Sequence, residues 1–333
     1  MNAYRDQLAA AVRAVTIRGP TAYAWLGQPS RPLPRLVRDA LSAVECRRHL
    51  VATLREELYS SFYTTGGAVP VHPGRVQPVG SDPQLAAALS AANAGPGSWE
   101  SGWTVDRYDG NEAIVARQRL RVRVPVIDCR VNDGGQIRSG VAVRVPLPKE
   151  LPALSPGFFM VLGATGSEVV ASQHTVRVYW HIAASGAAAL VRALTSRLNA
   201  ETVPFRLKVA DHPIRFDRCD AAVLYLPVEA FEGVRAMLAH VAVTTMASRL
   251  RPQTPAFTLA LAPGVGLAES PTTGESFGEH RCRLLADGIV GADERGVALA
   301  EARVNAVIES LAENGVKIDA PYLEPSLGGL HVL

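Results

Sequence analysis

Three short segments of this chain carry residue types that could move protons around an oxyanion. In TVRVYWHI (Thr175 to Ile182), the two-residue period of a strand puts Arg177, Tyr179 and His181 on one face and Val176, Val178, Trp180 and Ile182 on the other. In VPFRLKV (Val203 to Val209), the same alternation separates Phe205, Leu207 and Val209 from Arg206 and Lys208, so that a base and an anion binder lie side by side. The third, RFDRCD (Arg215 to Asp220), runs into the apolar strand Ala221 to Leu226, with Arg218 and Asp220 just ahead of it and Tyr225 inside it. Taken singly, each segment is an ordinary solvated strand face. Together, guanidinium forks, an amine, an imidazole and phenols are the parts of a site that binds phosphate and performs general acid–base catalysis. Lysine is scarce: of 34 basic residues only Lys149, Lys208 and Lys317 are lysines. Arginine stays protonated, so the candidates for an amine base are few.

Other chemistries are not signalled. The chain has no G-x-x-x-x-G-K-[ST], H-E-x-x-H or G-x-G-x-x-G, and Gly264-Val265-Gly266 by itself predicts a turn. No metal site and no cofactor are expected. Cys46, Cys129, Cys219 and Cys282 are scattered, form no C-x-x-C pair, and are expected to be buried free thiols.

The elements that must position these residues follow from periodicity. Helices are predicted over Asn2 to Val15 and Leu36 to Tyr59, separated by proline-rich pieces that include Pro70 to Pro83. From Asn111 the period becomes two. A strand is predicted over Ala113 to Pro125, and others over Val141–Val145, Phe158–Leu162, Thr175–Ile182, Pro204–Val209, Ala221–Leu226 and Phe257–Leu261. Helices are predicted over Ala187–Leu198, Glu229–Leu250, a short stretch at Arg281–Ile289, and Val297–Glu313. Strands with helices interspersed irregularly imply an α+β fold with a largely antiparallel sheet flanked by helices. The expected division is a helical N-terminal region, residues 1–95, and an α+β domain, residues 96–333.

Composition bounds the rest. A chain of 333 residues with 48% hydrophobic and 20% charged residues can build a sizeable core, which excludes wholesale disorder. A net charge of +3, evenly spread, argues against nucleic acid as a partner. No apolar run reaches the ~18 residues a membrane span needs. Arg5, Asp6 and Arg13 interrupt the N-terminal apolar stretch where a secretory signal would be continuous, so a cytoplasmic location is expected.

The strings LYSSFYTTG (Leu58 to Gly66), PGFFMVLG (Pro156 to Gly163), TVRVYWHI, VPFRLKV, FDRCDAAVLYL (Phe216 to Leu226), SFGEHRC (Ser276 to Cys282) and PYLEP (Pro321 to Pro325) occur in this order. This ordered set resembles the family of Pseudomonas type III effectors with a phosphothreonine-lyase-like domain. Relatives of that family are the lyase components of class V lanthipeptide and thioamitide biosynthesis. The resemblance implies a cofactor-free β-elimination of phosphate from phosphoserine or phosphothreonine, giving dehydroalanine or dehydrobutyrine. Lys208 would match the base that removes the α-proton, and His181 the general acid. Tyr179 falls where the enteric phosphothreonine lyases carry a second cation, a role that Arg177, two residues earlier, would take over. Arg218, Tyr225 and, later, Arg281 would match phosphate-binding residues, joined by Arg206 beside the base. The implied partners are a phosphorylated precursor peptide, a separate Ser/Thr-peptide kinase and, in such pathways, a cyclase. Two other classes stay open: a phosphopeptide or leader-peptide binding module without turnover, and a host-targeted type III effector. Lys208 discriminates the first, because a pure reader needs arginines but no amine base.

Overall fold

The computed structural model describes residues 3–67, 80–118, 120–131, 134–165 and 174–325, so most of the predicted Pro70 to Pro83 separator lies outside the described residues. The chain opens on helix α1 (Ala3–Ala14). A small antiparallel ribbon of β1 (Val15–Gly19), β2 (Ala22–Trp25) and β3 (Gln28–Pro29) follows, then α2 (Arg35–Ala40) and the long α3 (Ala43–Leu58). The single helix expected over Leu36 to Tyr59 is interrupted at Ser42. There a capping box starts a new helix: the Ser42 hydroxyl accepts from the Glu45 N–H, and the Glu45 carboxylate accepts from the Ser42 N–H. α3 runs into a π-helical turn, Tyr59–Tyr63, and after it comes α4 (Pro83–Ala92).

A five-stranded antiparallel sheet follows, made of β4 (Ser98–Tyr108), β5 (Glu112–Arg117), β6 (Leu120–Pro125), β7 (Arg130–Val131) and β8 (Ala142–Leu147) in the order β6-β5-β4-β8-β7. Trp103, Val105, Val115 and Val143 form its own apolar cluster. The one strand expected over Ala113 to Pro125 is a hairpin here. Gln118 takes a φ of 54°, which reverses the chain and pairs Arg117 with Leu120.

The central sheet collects β9 (Glu150–Ser155), β10 (Phe158–Leu162), β11 (Thr175–Trp180), β12 (Arg206–Ala210), β13 (Ala222–Pro227), β14 (Leu259–Ala262) and β15 (Val265–Glu269). All neighbours are antiparallel, in the order β14-β15-β11-β13-β12-β10-β9. Gly264 makes the β14–β15 turn at a φ of +76°, the role the sequence assigned to it. Helix α5 (Ala187–Ala200) joins β11 to β12, α6 (Val228–His240) follows β13, and α7 (Phe277–Glu294) and α8 (Ala300–Glu313) end the described chain. The expected α+β architecture, an antiparallel sheet flanked by helices, is thus the one observed. α7 is 18 residues long where the sequence suggested a short helix, because Ser276 and Glu279 form a second capping box that starts it earlier. No helix among the described residues is long and apolar enough to cross a membrane.

The strand period divides the central sheet into two unlike faces. Val176, Val178, Trp180, Leu207, Val209, Leu224 and Leu226 point to one side and pack under α5 and α6 with Leu190, Leu194 and Phe231. Each such fully buried side chain contributes about 1.5–3 kcal/mol of transfer free energy. The opposite face, which carries the polar residues, is covered by α3, the π turn and α7. Their contact residues, Leu50, Leu54, Phe62, Tyr63, Phe277 and Leu285, belong to one cluster with Tyr179 and Val223 of the sheet. α1 and α8 extend the same cluster outward through Leu8, Val12, Val304 and Val307.

Gly278 fixes how closely α7 approaches the π turn. A Cβ there would stand 2.3 Å from Tyr63 Cε1 and 2.7 Å from Tyr59 Cε2. Gly278→Ala would gain up to about 1 kcal/mol in helix propensity, but overpacking against two aromatic rings costs about 1–3 kcal/mol. Net destabilisation is expected, seen as a lower midpoint in chemical denaturation; an unchanged or raised midpoint would show that the rings yield freely.

Candidate active site

The registers of the central sheet bring the three sequence segments together. Arg206 pairs with Tyr225, and Tyr225 with Arg177, so these three side chains form one row across β12, β13 and β11. Two residues along, Lys208 pairs with Val223 and Val223 with Tyr179, giving a second row on the same face. His181 continues the alternation of β11 one step further. Its N–H donates to the Gly264 carbonyl at 2.9 Å, and its own carbonyl accepts from the Arg251 N–H at 2.8 Å.

The first row is cationic and lacks acids. The Arg177 and Arg206 guanidinium carbons stand 5.3 and 5.6 Å from the centre of the Tyr225 ring. Arg177 Nε donates to the Ser270 hydroxyl at 2.9 Å, and its Nη2 to the Glu275 carbonyl at 3.3 Å. Arg206 Nε is buried with no hydrogen-bond partner among the described residues. Burial lowers the Arg206 pKa, and the charge of Arg177 adds to the effect. Two half-buried cations with no carboxylate between them are short of negative charge, and a bound anion would supply it.

Arg218 is held differently. Its Nε and Nη2 donate to the two Asp220 carboxylate oxygens at 2.7 and 2.8 Å, a bidentate pair, and Nη2 also donates to the Tyr59 hydroxyl at 3.1 Å. The Tyr59 hydroxyl in turn donates to Asp220 Oδ2 at 3.1 Å. Burial alone would push the Asp220 carboxyl up; Arg218 beside it, with the hydrogen bonds and the Lys208 charge, holds it below its ordinary value. Asp220 therefore stays ionised although only 4% exposed. Lys208 makes no hydrogen bond or ion pair to the described residues. Its Nζ lies 3.8 Å from the centre of the Phe158 ring, and Arg218 approaches the same ring at 5.8 Å. Amine and guanidinium thus flank one aromatic wall.

Tyrosines line the floor. Tyr59 stacks on Tyr63 with centroids 5.3 Å apart, and Tyr179 lies within hydrogen-bonding reach of both Tyr63 and Arg177. Burial pushes the Tyr179 phenol up to about 12, even though Arg177 opposes the shift. These phenols stay neutral donors. His181 is 4% exposed; its Nδ1 lies 3.1 Å from the Gln253 carbonyl, which makes Nδ1–H the donor and leaves Nε2, buried and without a partner among the described residues, as the site that can take up or give a proton. Burial lowers its pKa.

The structure thus gathers Arg177, Tyr179, His181, Arg206, Lys208, Arg218 and Tyr225 on one face of the sheet. Arg281 stands behind them. It is 1% exposed, donates from Nε to the Pro321 carbonyl at 2.8 Å and from Nη2 to the Leu323 carbonyl at 2.7 Å, and meets His280 Nδ1 through Nη1. All three nitrogens are engaged in strapping the C-terminal segment to α7, so Arg281 reaches the site only through its charge, which acts on Tyr179 and Tyr63. Nothing in the sequence marks Tyr59, Tyr63 or Phe158 as a site residue, and Asp220 stands out there only as a neighbour of Arg218. The other lysines have other duties: Lys149 Nζ donates to the Ser90 and Asn93 carbonyls at 3.0 and 3.1 Å at the end of α4, and Lys317 is exposed near the C-terminus. All four cysteines are buried free thiols, and burial pushes the Cys219 thiol up to about 12.

A family model described as the HopA1 effector protein family matches residues 150–323, which include all seven gathered residues and Arg281 but not Tyr59. Among solved structures, the effector protein from Pseudomonas syringae pv. tomato strain DC3000 is similar at 18% identity and a TM-score of 0.45, over 83% of this chain and 95% of that one. The effector protein from Pseudomonas syringae pv. syringae strain 61 is similar at 18% identity and a TM-score of 0.35, over 50% of this chain and 62% of that one. No curated protein matches.

Behind the site, burial pulls the His280 pKa down to about 4, helped by the charges of Arg281 and Arg283. An unfolded histidine titrates near ~6.5, so the unfolded chain binds the extra proton between those values and stability falls as pH drops from about 6.5 to 4, while above pH 6.5 the full contribution is present. Buried His181, also lowered, acts in the same direction. The denaturation midpoint of His280→Asn, which keeps an acceptor for Arg281 Nη1, is expected to fall less over this window than that of the wild type. Parallel pH profiles would show that His280 does not carry the effect.

Proposed function

Because the chain belongs to the HopA1 effector protein family, we propose that its cation-lined sheet face is the active site of a cofactor-independent lyase. The substrate is a phosphoserine or phosphothreonine of a ribosomally made precursor peptide, and the product is dehydroalanine or dehydrobutyrine, as in lanthipeptide-type biosynthesis. A separate kinase supplies the phosphopeptide, since the sequence has no phosphate-cradling glycine loop of its own. The observation that carries this reading is an amine free of hydrogen bonds, Lys208, beside two arginines that have no acidic partner among the described residues.

In this reading Lys208 Nζ takes the α-proton, the C–H electron pair becomes the Cα–Cβ double bond, and the Cβ–O bond breaks with its electrons leaving on phosphate. Arg177, Arg206 and Arg218 hold the phosphate oxygens, where charge accumulates as the bond breaks. The phenols of Tyr225, between the two arginines without an acidic partner, and of Tyr179 donate to the same phosphate. His181 Nε2 serves the leaving phosphate. Because its Nδ1 proton is committed to Gln253, donation from Nε2 requires the imidazolium, which burial disfavours until a phosphate dianion arrives beside it.

The effector description of the family supports a second reading, a host-targeted protein that uses the same face on a host phosphoprotein. The peptide offered as substrate separates the two. Both rest on Lys208, and a mere phosphopeptide reader does not. Lys208→Met is expected to bind a phosphothreonine peptide while producing no dehydro residue, as followed by mass spectrometry with thiol trapping. His181→Ala is expected to keep a residual rate about 10²- to 10⁴-fold below wild type. A Lys208→Met chain that eliminates at the wild-type rate would overturn the assignment.

A further inference from the structure

The family-matched segment begins at residue 150, yet one hydroxyl of the site comes from residue 59. Tyr59 lies in the π-helical turn that ends α3, and three features fix it there. Its ring stacks on Tyr63, Gly278 of α7 leaves room for both rings, and the Tyr59 hydroxyl closes a triangle with Arg218 Nη2 and Asp220 Oδ2, each at 3.1 Å. The triangle occupies the Nε and Nη2 donors of Arg218 and leaves its Nη1 without a partner among the described residues. A guanidinium anchored along one edge by a buried carboxylate and a phenol cannot swing, so it presents the other edge in a fixed plane.

We propose that Tyr59 is a positioning residue: through Arg218 it orients the fork that receives the substrate phosphate, so the N-terminal region of the chain is a working part of the site. This rests on the phosphate-eliminating reading above, and it extends the site beyond the matched segment. A purely structural tyrosine would contribute its ring alone, since stacking on Tyr63 and the 5.5 Å approach of Arg218 to the ring do not need the hydroxyl.

Tyr59→Phe separates these roles, because the ring stays and only the hydroxyl goes. In a Lys208→Met background, which holds the peptide unreacted, the substitution is expected to weaken phosphothreonine-peptide binding about tenfold, the loss of one hydrogen bond to a charged group. Binding of the same peptide without phosphate should not change. With Lys208 intact, half-saturation should rise by a similar factor and turnover at saturation should stay within about twofold. The unfolding midpoint is expected to fall in either case, because buried Asp220 loses one of its three hydrogen bonds; it is the restriction of the affinity loss to the phosphorylated peptide that marks a positioning role. Unchanged phosphopeptide affinity would overturn the proposal, and so would an equal loss for the phosphorylated and unphosphorylated peptides. If the wild type leaves the phosphopeptide intact, the lyase reading falls, and the binding comparison still decides the role of Tyr59.

Discussion

The carboxylate of Asp220 is the charge around which this site is arranged. Left alone in the interior it would have to take up a proton; breaking a buried ion pair by removing one partner costs about 3–5 kcal/mol. Arg218 meets it with two short hydrogen bonds and Tyr59 with a third, and these hold it ionised. Its field is felt by Lys208, His181, Tyr59, Tyr63, Tyr179 and Cys219. One anion thus joins the end of α3, the start of β13, and the residues of β11 and β12 that carry the proposed chemistry.

The arginines divide accordingly. Arg218 has its counter-ion, and Arg281 is strapped to backbone carbonyls. Arg177 and Arg206 have no carboxylate partner among the described residues, and they share one aromatic ring. A unit charge ~4 Å from another interacts by about 1 kcal/mol in water and about 4 kcal/mol at an effective dielectric of 20, so a phosphate dianion entering between two such cations gains far more than it would at an exposed surface. In the proposed reaction the same energetics would bring His181, whose Nε2 has no partner among the described residues, into use when that dianion arrives.

Much of this is legible in the sequence because β11 and β12 follow the strand period where they carry Arg177, Tyr179, Arg206 and Lys208. Two-residue alternation placed Arg177 with Tyr179, and Arg206 with Lys208, on the polar face, and Trp180 and Leu207 on the buried one. What alternation cannot supply is the partner across the fold. Tyr59 and Asp220 are 161 positions apart, and nothing local to YSSFY says that its first tyrosine will meet an arginine–aspartate pair. Arg281 was misleading for a related reason: a buried arginine and a phosphate-binding one look alike in a string, and only the Pro321 and Leu323 carbonyls distinguish them. The start of α7 was legible after all, since Ser276-x-x-Glu279 is a capping box that outranks the weak periodicity of its first turn.

The most direct measurement is the mass of the product formed when the purified chain meets a phosphothreonine peptide. Elimination leaves an alkene, lighter by one water than the dephosphorylated hydroxyl peptide, and with deuterium at the phosphothreonine α-carbon the label should be lost from product and the rate should fall by a primary isotope effect. That is the expected result. A product with its hydroxyl and its α-deuterium intact would mean hydrolysis, and a peptide returned unchanged would mean binding alone; either contradicts the assignment of Lys208 as the base.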